Sequence, residues 1–449
     1  MQDSHFRIWT IFLSLVLAIA LAMNGFGRLD PITQLDTKSY RDFPLDNLVG
    51  SLNDQRTFAY PVVLKSFEVI NGSYALIPMF QYAISALAAA IFMAVLLRCK
   101  WQLALALAAT LPLLTSNMLL GYSSLLSPDL LAQSLGIMAI SIWLYIIHTG
   151  RGLTKHVLLA TLMFLAYQLK PSYLFLVAFV PIGGAFARWW LIPQSRDSVL
   201  LGIKLLATSL GPFLGWCSLR WALVGHFGLV SFGGYNIIGI TGQLLNRESV
   251  SQLKQDVQPL ALEILEQREE RSDWETQLRF SKFESQYNPM VWEIAVPLAK
   301  KRYDNDSRRM NYELSSLSQE IIKVSLFRYL YWLALGANHA AMECIDLTFS
   351  NPMSVIAIVI MLVCHALRWH HADRRQPIRK VWACDREYQT IVWLGIGYAV
   401  CSLSLVILVE IPISRYCAPA SVFFPSLLMM FALSMLTEKT LTSETSPHV

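Results

Sequence analysis

Tyr74-Ala-Leu-Ile-Pro-Met-Phe-Gln-Tyr-Ala-Ile-Ser-Ala-Leu-Ala-Ala-Ala-Ile-Phe-Met-Ala-Val-Leu-Leu97 contains no charged residue and stops at Arg98-Cys99-Lys100. It exceeds the ~20 residues a helix needs to cross a bilayer core. Similar apolar runs lie at about 7–25, 102–120, 128–147, 156–169, 172–187, 199–224, 353–367, 389–409 and 418–436. The 449-residue chain is 55% hydrophobic and only 15% charged, against roughly 25% charged in soluble domains. These features predict an all-α polytopic membrane protein with about ten transmembrane helices. The net charge of +5 is explained by basic loops and gives no sign of nucleic acid.

Lys and Arg set the expected orientation. With the N-terminus in the cytoplasm, the inner connections hold Arg98 and Lys100, Arg151 and Lys155, Arg188 and Arg196, and the strongly basic 368–388. The short outer turns are poor in basic residues, as the positive-inside rule requires. Both termini are then cytoplasmic. Arg7 and the run after it resemble a signal peptide, but no small-x-small cleavage site follows, so a retained span is expected. Lys170-Pro171 makes 156–187 either a broken hairpin or two spans. The expected domains are an N-terminal transmembrane module (1–225, with an outer loop at 26–73), an outer helical region (226–350) and a C-terminal transmembrane module (351–449). In the outer region Leu260 and Ile264 predict one amphipathic helix, and Leu314, Leu317 and Ile321 another. Gly233-Gly234 and Gly239 read as tight backbone rather than helix, and Phe327–Ala341 as an interfacial or re-entrant helix.

The candidates for chemistry collect on the outer side. Asn24–Pro61 carries Asp30, Asp36, Tyr40, Asp42, Asp46, Arg56 and Tyr60. Ser127 and Asp129, Lys170, and Arg415 with Tyr416 come from three further connections. Ionisable groups beside hydrocarbon are costly unless paired, hydrated or functional. Asp36 reads equally as a helix N-cap or as a general base. Arg56 reads as a phosphate clamp or an interface anchor, and Glu410 and Arg415 as an ion pair. The seven cysteines show no C-x-x-C spacing and read as small apolar residues, with a disulfide between Cys344 and Cys417 on the outer side as the alternative. His370-His371 lacks the partners a metal site needs. No nucleotide-binding glycine motif is present.

In their order, Asp36 with Tyr40, Arg56-x-x-x-Tyr60-Pro61, Pro128-Asp129, Lys170-Pro171, Gly233-Gly234-Tyr235-Asn236 and Arg415-Tyr416-x-x-Pro419 span most of the chain. This pattern resembles the GT-C superfamily of integral-membrane glycosyltransferases. It is similar to bacterial relatives of protein O-mannosyltransferases and of the lipid A aminoarabinose transferase. The resemblance implies a GT-C-like bundle that takes a sugar from a polyprenyl-phosphate carrier and passes it to a lipid, glycan or protein acceptor. The setting it implies is the periplasmic face of a bacterial inner membrane. Asp36 would be the catalytic base, Arg56, Tyr60, Lys170 and Arg415 would hold the carrier phosphate, and Tyr40 and Tyr416 would give aromatic support. Many relatives carry a second acid directly after the first. Here Thr37 stands there, which leaves Asp129 as the candidate second acid and the need for a divalent cation open; no other cofactor is implied. The rival readings are a transporter or flippase of lipid-linked sugars, a polysaccharide polymerase, and a scaffold subunit. A transporter predicts ionisable groups inside the spans, where only Lys204 and Arg220 stand out.

Overall fold

Apolar runs of this length must satisfy their backbone groups internally when water is absent, and the helix does so within one segment. The computed structural model describes residues 2–149, 152–191, 195–271, 274, 278–304, 306–370 and 386–443. Among these residues there is no strand, only an isolated bridge between Ile32 and Leu125. Six helices are long and apolar enough to cross a membrane: Ile77–Arg98, Leu103–Tyr122, Asp129–Thr149, Pro171–Trp190, Ser198–Val224 and Tyr388–Val409. Two bent pairs raise the number to eight if each is one span: Leu326–Phe349 with Pro352–Leu367 (76°), and Ser414–Ala420 with Phe424–Leu436 (43°).

The count among described residues is therefore six to eight rather than about ten. Trp9–Gly25 and Leu153–Leu169 are apolar helices but shorter. Seventeen residues rise only ~25 Å, less than the ~30 Å hydrocarbon core. Phe327–Ala341, expected as an interfacial or re-entrant helix, is the first part of the longer helix Leu326–Phe349, which bends by 76° into Pro352–Leu367. Most of the basic 368–388 connection, with His371 and Cys384, lies outside the described residues. Helix Ser198–Val224 keeps most of its surface unburied and exposes Ile203, Leu206, Leu214 and Trp221. Such a face is costly in water and suited to lipid.

Three apolar cores result among the described residues. One runs through the bundle from Phe12 to Met430, a second lies within Tyr235–Trp332 and reaches Ile411, and a small third joins Ala340 and Cys344 to Ala399, Ile407, Cys417 and Ala420. The expected amphipathic helices are Gln258–Glu269 and Ser307–Val324, with Leu260, Ile264, Leu314, Leu317 and Ile321 buried. Gly233, Gly234 and Gly239, expected in non-helical backbone, belong to helix Gly233–Leu244. The reason is close packing. A Cβ on Gly234 would meet the Asn311 carbonyl oxygen, and one on Gly239 would come within 2.5 Å of the Tyr287 ring.

An ion cluster at one end of the bundle

The first connection after Gly25 is laced to the turn before Asp129. Ile32 donates its N–H to the Ser124 carbonyl and accepts from Leu126 N–H (2.8 and 2.9 Å). Thr37, at the position of the missing second acid, is buried and donates its hydroxyl to the Leu126 carbonyl at 3.0 Å. Gln81, from the neighbouring helix, donates to the Ser123 and Leu125 carbonyls. Together these bonds bring Asp36 beside the start of helix Asp129–Thr149. They also give Thr37 a structural task that a carboxylate could not perform, since an ionised acid has no proton to donate.

Asp36 precedes helix Thr37–Arg41, but its side chain makes no capping bond. Its two oxygens go to two arginines instead. Arg56 Nη2 donates to Oδ1 at 2.7 Å and Arg415 Nη1 donates to Oδ2 at 3.0 Å. Arg56 is held further by Ser39 Oγ (2.9 Å) and lies over the Tyr40 ring at 4.9 Å. Tyr40 meets Tyr60 edge-on at 5.2 Å between centroids. Tyr60 and Ser127 are buried with hydroxyls that have no protein partner.

On the far side of Arg415 lies Asp129, fully buried. It accepts from Arg415 Nε at 3.0 Å and Nη2 at 2.8 Å, and from Lys170 Nζ. Its position in the first turn of a helix adds the favourable N-terminal dipole. Lys170 is placed by the extended backbone that precedes Pro171, and its ammonium sits 4.5 Å from the centre of the Tyr416 ring. Tyr416 donates its hydroxyl to Glu410 Oε1 at 2.7 Å, and Asn236 donates to Glu410 Oε2 at 3.3 Å. The expected Glu410–Arg415 pair does not form, because Arg415 is drawn to the two aspartates.

All eight residues nominated from the sequence thus lie in one contiguous network: Asp36, Tyr40, Arg56, Tyr60, Asp129, Lys170, Arg415 and Tyr416. Asp30 and Asp42 are exposed and outside it. Sequence reasoning missed Ser39, and it also missed the roof. Phe232 lies 5.8 Å from the Arg56 guanidinium and stacks near Trp292, a half-exposed residue on the π-helical turn Pro289–Ala295.

Burial pushes the Asp36 carboxyl up, but the guanidiniums of Arg56 and Arg415 outweigh it and hold Asp36 below its ordinary value. Burial raises Glu410, and Tyr416 and the nearby cations only partly offset it. Tyr40, also buried, is pushed up to about 12. Arg56, Lys170 and Arg415 thus face the carboxylates of Asp36 and Asp129, while Glu410 is engaged by Tyr416 and Asn236. The carboxylate oxygens of Asp36 and Asp129 are all engaged by cations. Among the described residues no group of three or more His, Cys, Asp or Glu converges as a metal site requires. The residues present therefore do not form a divalent-cation site. Cys344 and Cys417 lie together as free thiols, with the Cys344 Sγ 3.8 Å from the Cys417 carbonyl oxygen.

Comparison with family models, with curated proteins and with solved structures finds no match to this chain.

Proposed function

We propose that the chain is a membrane glycosyltransferase that moves a sugar from a polyprenyl-phosphate carrier to an acceptor hydroxyl, with Asp36 as general base. The observation that carries this reading is the state of Asp36. It is a carboxylate with a third of its side chain exposed, held by two guanidiniums that come from opposite ends of the chain. Guanidinium forks bind phosphate as well as carboxylate. A carrier phosphate arriving at Arg415, Arg56 and Lys170 competes with Asp36 for the two arginines and with Asp129 for Lys170. The freed carboxylate loses the neighbours that depress its pKa while keeping the burial that raises it, and so becomes a better base.

The reaction then balances simply. The acceptor oxygen forms a bond to the anomeric carbon and passes its proton to Asp36. The bond from that carbon to the phosphate oxygen breaks, and the phosphate leaves with the electron pair. The charge it gains is met by the cations, which stabilise it more than they stabilise the ground state. In this reading the shorter apolar helices also cross, giving about ten spans. Both termini are cytoplasmic and the cluster faces the periplasm of a bacterial inner membrane.

A transporter would use ionisable groups along its path. Arg220, inside a candidate span, instead spends all five N–H donors on Leu52, His226, Gly228 and Ser231, which gives it an anchoring role. The test is to reconstitute the purified chain with a panel of radiolabelled polyprenyl-phosphate hexoses and pentoses plus an extract of membrane lipids and glycans. Transfer of label from carrier to a second molecule is expected. Intact donor throughout the panel would contradict the proposal.

A further inference from the structure

A cavity of about 390 Å³ opens beneath the first outer loop, within the ~300–1,000 Å³ of small-molecule sites. Its wall has two chemistries. Asp46 and Asp54 supply carboxylates balanced by the guanidiniums of Arg56 and Arg220, while Leu48, Phe58 and Trp216 supply apolar and aromatic surface. Trp216 lies eight residues before the end of span Ser198–Val224, or ~12 Å below it at 1.5 Å per residue. With that ~40 Å helix centred on a ~30 Å hydrocarbon core, this part of the wall lies at hydrocarbon depth. Leu45 and Leu48 on its loop side are exposed apolar residues, which suits an opening towards lipid rather than water.

Arg56 joins this cavity to the ion cluster. It lines the cavity and also holds Asp36 Oδ1. Arg415, with Asp129 and Lys170 behind it, stands on the Oδ2 side. The two flanks of Asp36 thus differ. One is rich in cations. The other is a chamber with an aromatic wall in which two carboxylates balance Arg56 and Arg220, the latter with its donors spent on Leu52, His226, Gly228 and Ser231.

We infer that this cavity binds the acceptor, and that the acceptor is a membrane-borne amphiphile with an uncharged, hydroxyl-bearing head group. The inference rests on the glycosyltransferase reading and adds the class of acceptor and its route of entry. A direct displacement needs the attacking hydroxyl and the departing phosphate on opposite faces of the sugar. The cation-rich flank takes the phosphate, so the nucleophile approaches from the chamber, with Asp36 between them to receive its proton. Asp46 and Asp54 accept hydrogen bonds from hydroxyls, and with Arg56 and Arg220 they leave the chamber without a net charge to attract an ionic head group. Trp216 and Phe58 offer faces to a sugar ring or alkyl stem. The apolar, lipid-depth wall accommodates the anchor.

The test uses the purified full chain in nanodiscs, a labelled polyprenyl-phosphate hexose that the chain consumes, and three acceptor probes: monoglucosyl diacylglycerol, phosphatidylglycerol and soluble maltotriose. The parent is expected to transfer at least ~tenfold faster to the uncharged glycolipid than to either other probe, the ratio that about 1.4 kcal/mol of discrimination gives. Asp46→Lys and Trp216→Ala are each expected to raise the KM for the glycolipid about tenfold with little change in the KM for donor. Asp46 is exposed, so its variant keeps the test open if Trp216→Ala does not fold. Equal rates on all three probes, or an unaltered glycolipid KM in Asp46→Lys, would overturn the inference and leave the transferase standing. If the parent consumes no donor, the transferase reading falls and this inference falls with it.

Discussion

Asp129→Asn is expected to unfold the bundle end at much lower stress than Asp36→Asn, although both substitutions remove a carboxylate from the same network. Asp129 has no exposed side-chain surface and neutralises Lys170 and Arg415, whose side chains are 9% and 22% exposed. At an effective dielectric of 20 each contact of this kind is worth about 4 kcal/mol before desolvation is charged against it. Removing one partner from a buried pair costs about 3–5 kcal/mol, because the remaining charge is left uncompensated. Arg415 retains Asp36 and Lys170 retains the Tyr416 face, which places the expected loss near the lower end, about 3 kcal/mol. Asp36 is 35% exposed, so its removal is screened by solvent and costs about 1 kcal/mol or less. Buried Cys217, Cys344, Cys364 and Cys417 make a thiol-reactive dye a direct monitor of unfolding in detergent. Asp129→Asn should expose thiols several degrees earlier than the parent, and Asp36→Asn within a degree or two. Equal midpoints for the two variants would refute the assignment of Asp129 as the structural acid and Asp36 as the available one.

Four other outcomes follow from particular contacts. The free protein holds Asp36 below the ordinary carboxylate value, so the acid limb of kcat/KM should fall below about pH 3.9. The limb of kcat, which reports the donor complex, should lie at higher pH; a kcat limb at or below that of kcat/KM would contradict the exchange of arginines from carboxylate to phosphate. The same depression makes Asp36 stabilising above the unfolded value of about 3.9, a contribution lost as pH falls through the folded value; unfolding midpoints of the parent and Asp36→Asn should converge in acid. Arg220→Lys can serve at most three of the five bonds that tie Leu52 and the 226–231 turn together. It should cost about 1–3 kcal/mol and raise the KM for donor through the loop that carries Arg56, measured by unfolding and steady-state kinetics. Gly234→Ala, which drives a methyl group into the Asn311 carbonyl, should destabilise by about 1–3 kcal/mol in the same dye assay.

The membrane character and the polar cluster were legible because both follow from one-dimensional patterns. Uncharged runs such as 74–97 leave few alternatives to a helix, and charged groups at the ends of such runs are rare enough to attract notice. The orientation expected from Lys and Arg put Asp36, Arg56, Asp129, Lys170 and Arg415 on one side, and the bridge at Ile32 helps to bring Asp36 beside Asp129. Local patterns could not supply the choice of partners. Asp36 satisfies every sequence criterion for an N-cap, yet two guanidiniums outbid the backbone N–H groups for its oxygens. Glu410 sits close enough in sequence to pair with Arg415, but a stronger pair of acids was already there. Gly233-Gly234 looked like a loop because glycine disfavours helix in isolation, whereas here it admits a second helix at backbone distance. The six to eight spans counted among the described residues fall short of about ten because Trp9–Gly25 and Leu153–Leu169 are shorter than the hydrocarbon core, and nothing in the runs shows the 76° and 43° bends. Arg220 carried a usable signal, a lone arginine in a long apolar run, but its neutral carbonyl partners lie far apart in the chain.

The most direct measurement compares single-turnover transfer by the parent and by Asp36→Asn, at equal amounts of folded protein, from a labelled polyprenyl-phosphate sugar. Loss of a positioned general base predicts a fall of roughly 10²–10⁴-fold in the rate of sugar transfer, with donor binding retained. An Asp36→Asn protein that transfers sugar as fast as the parent would contradict the central claim.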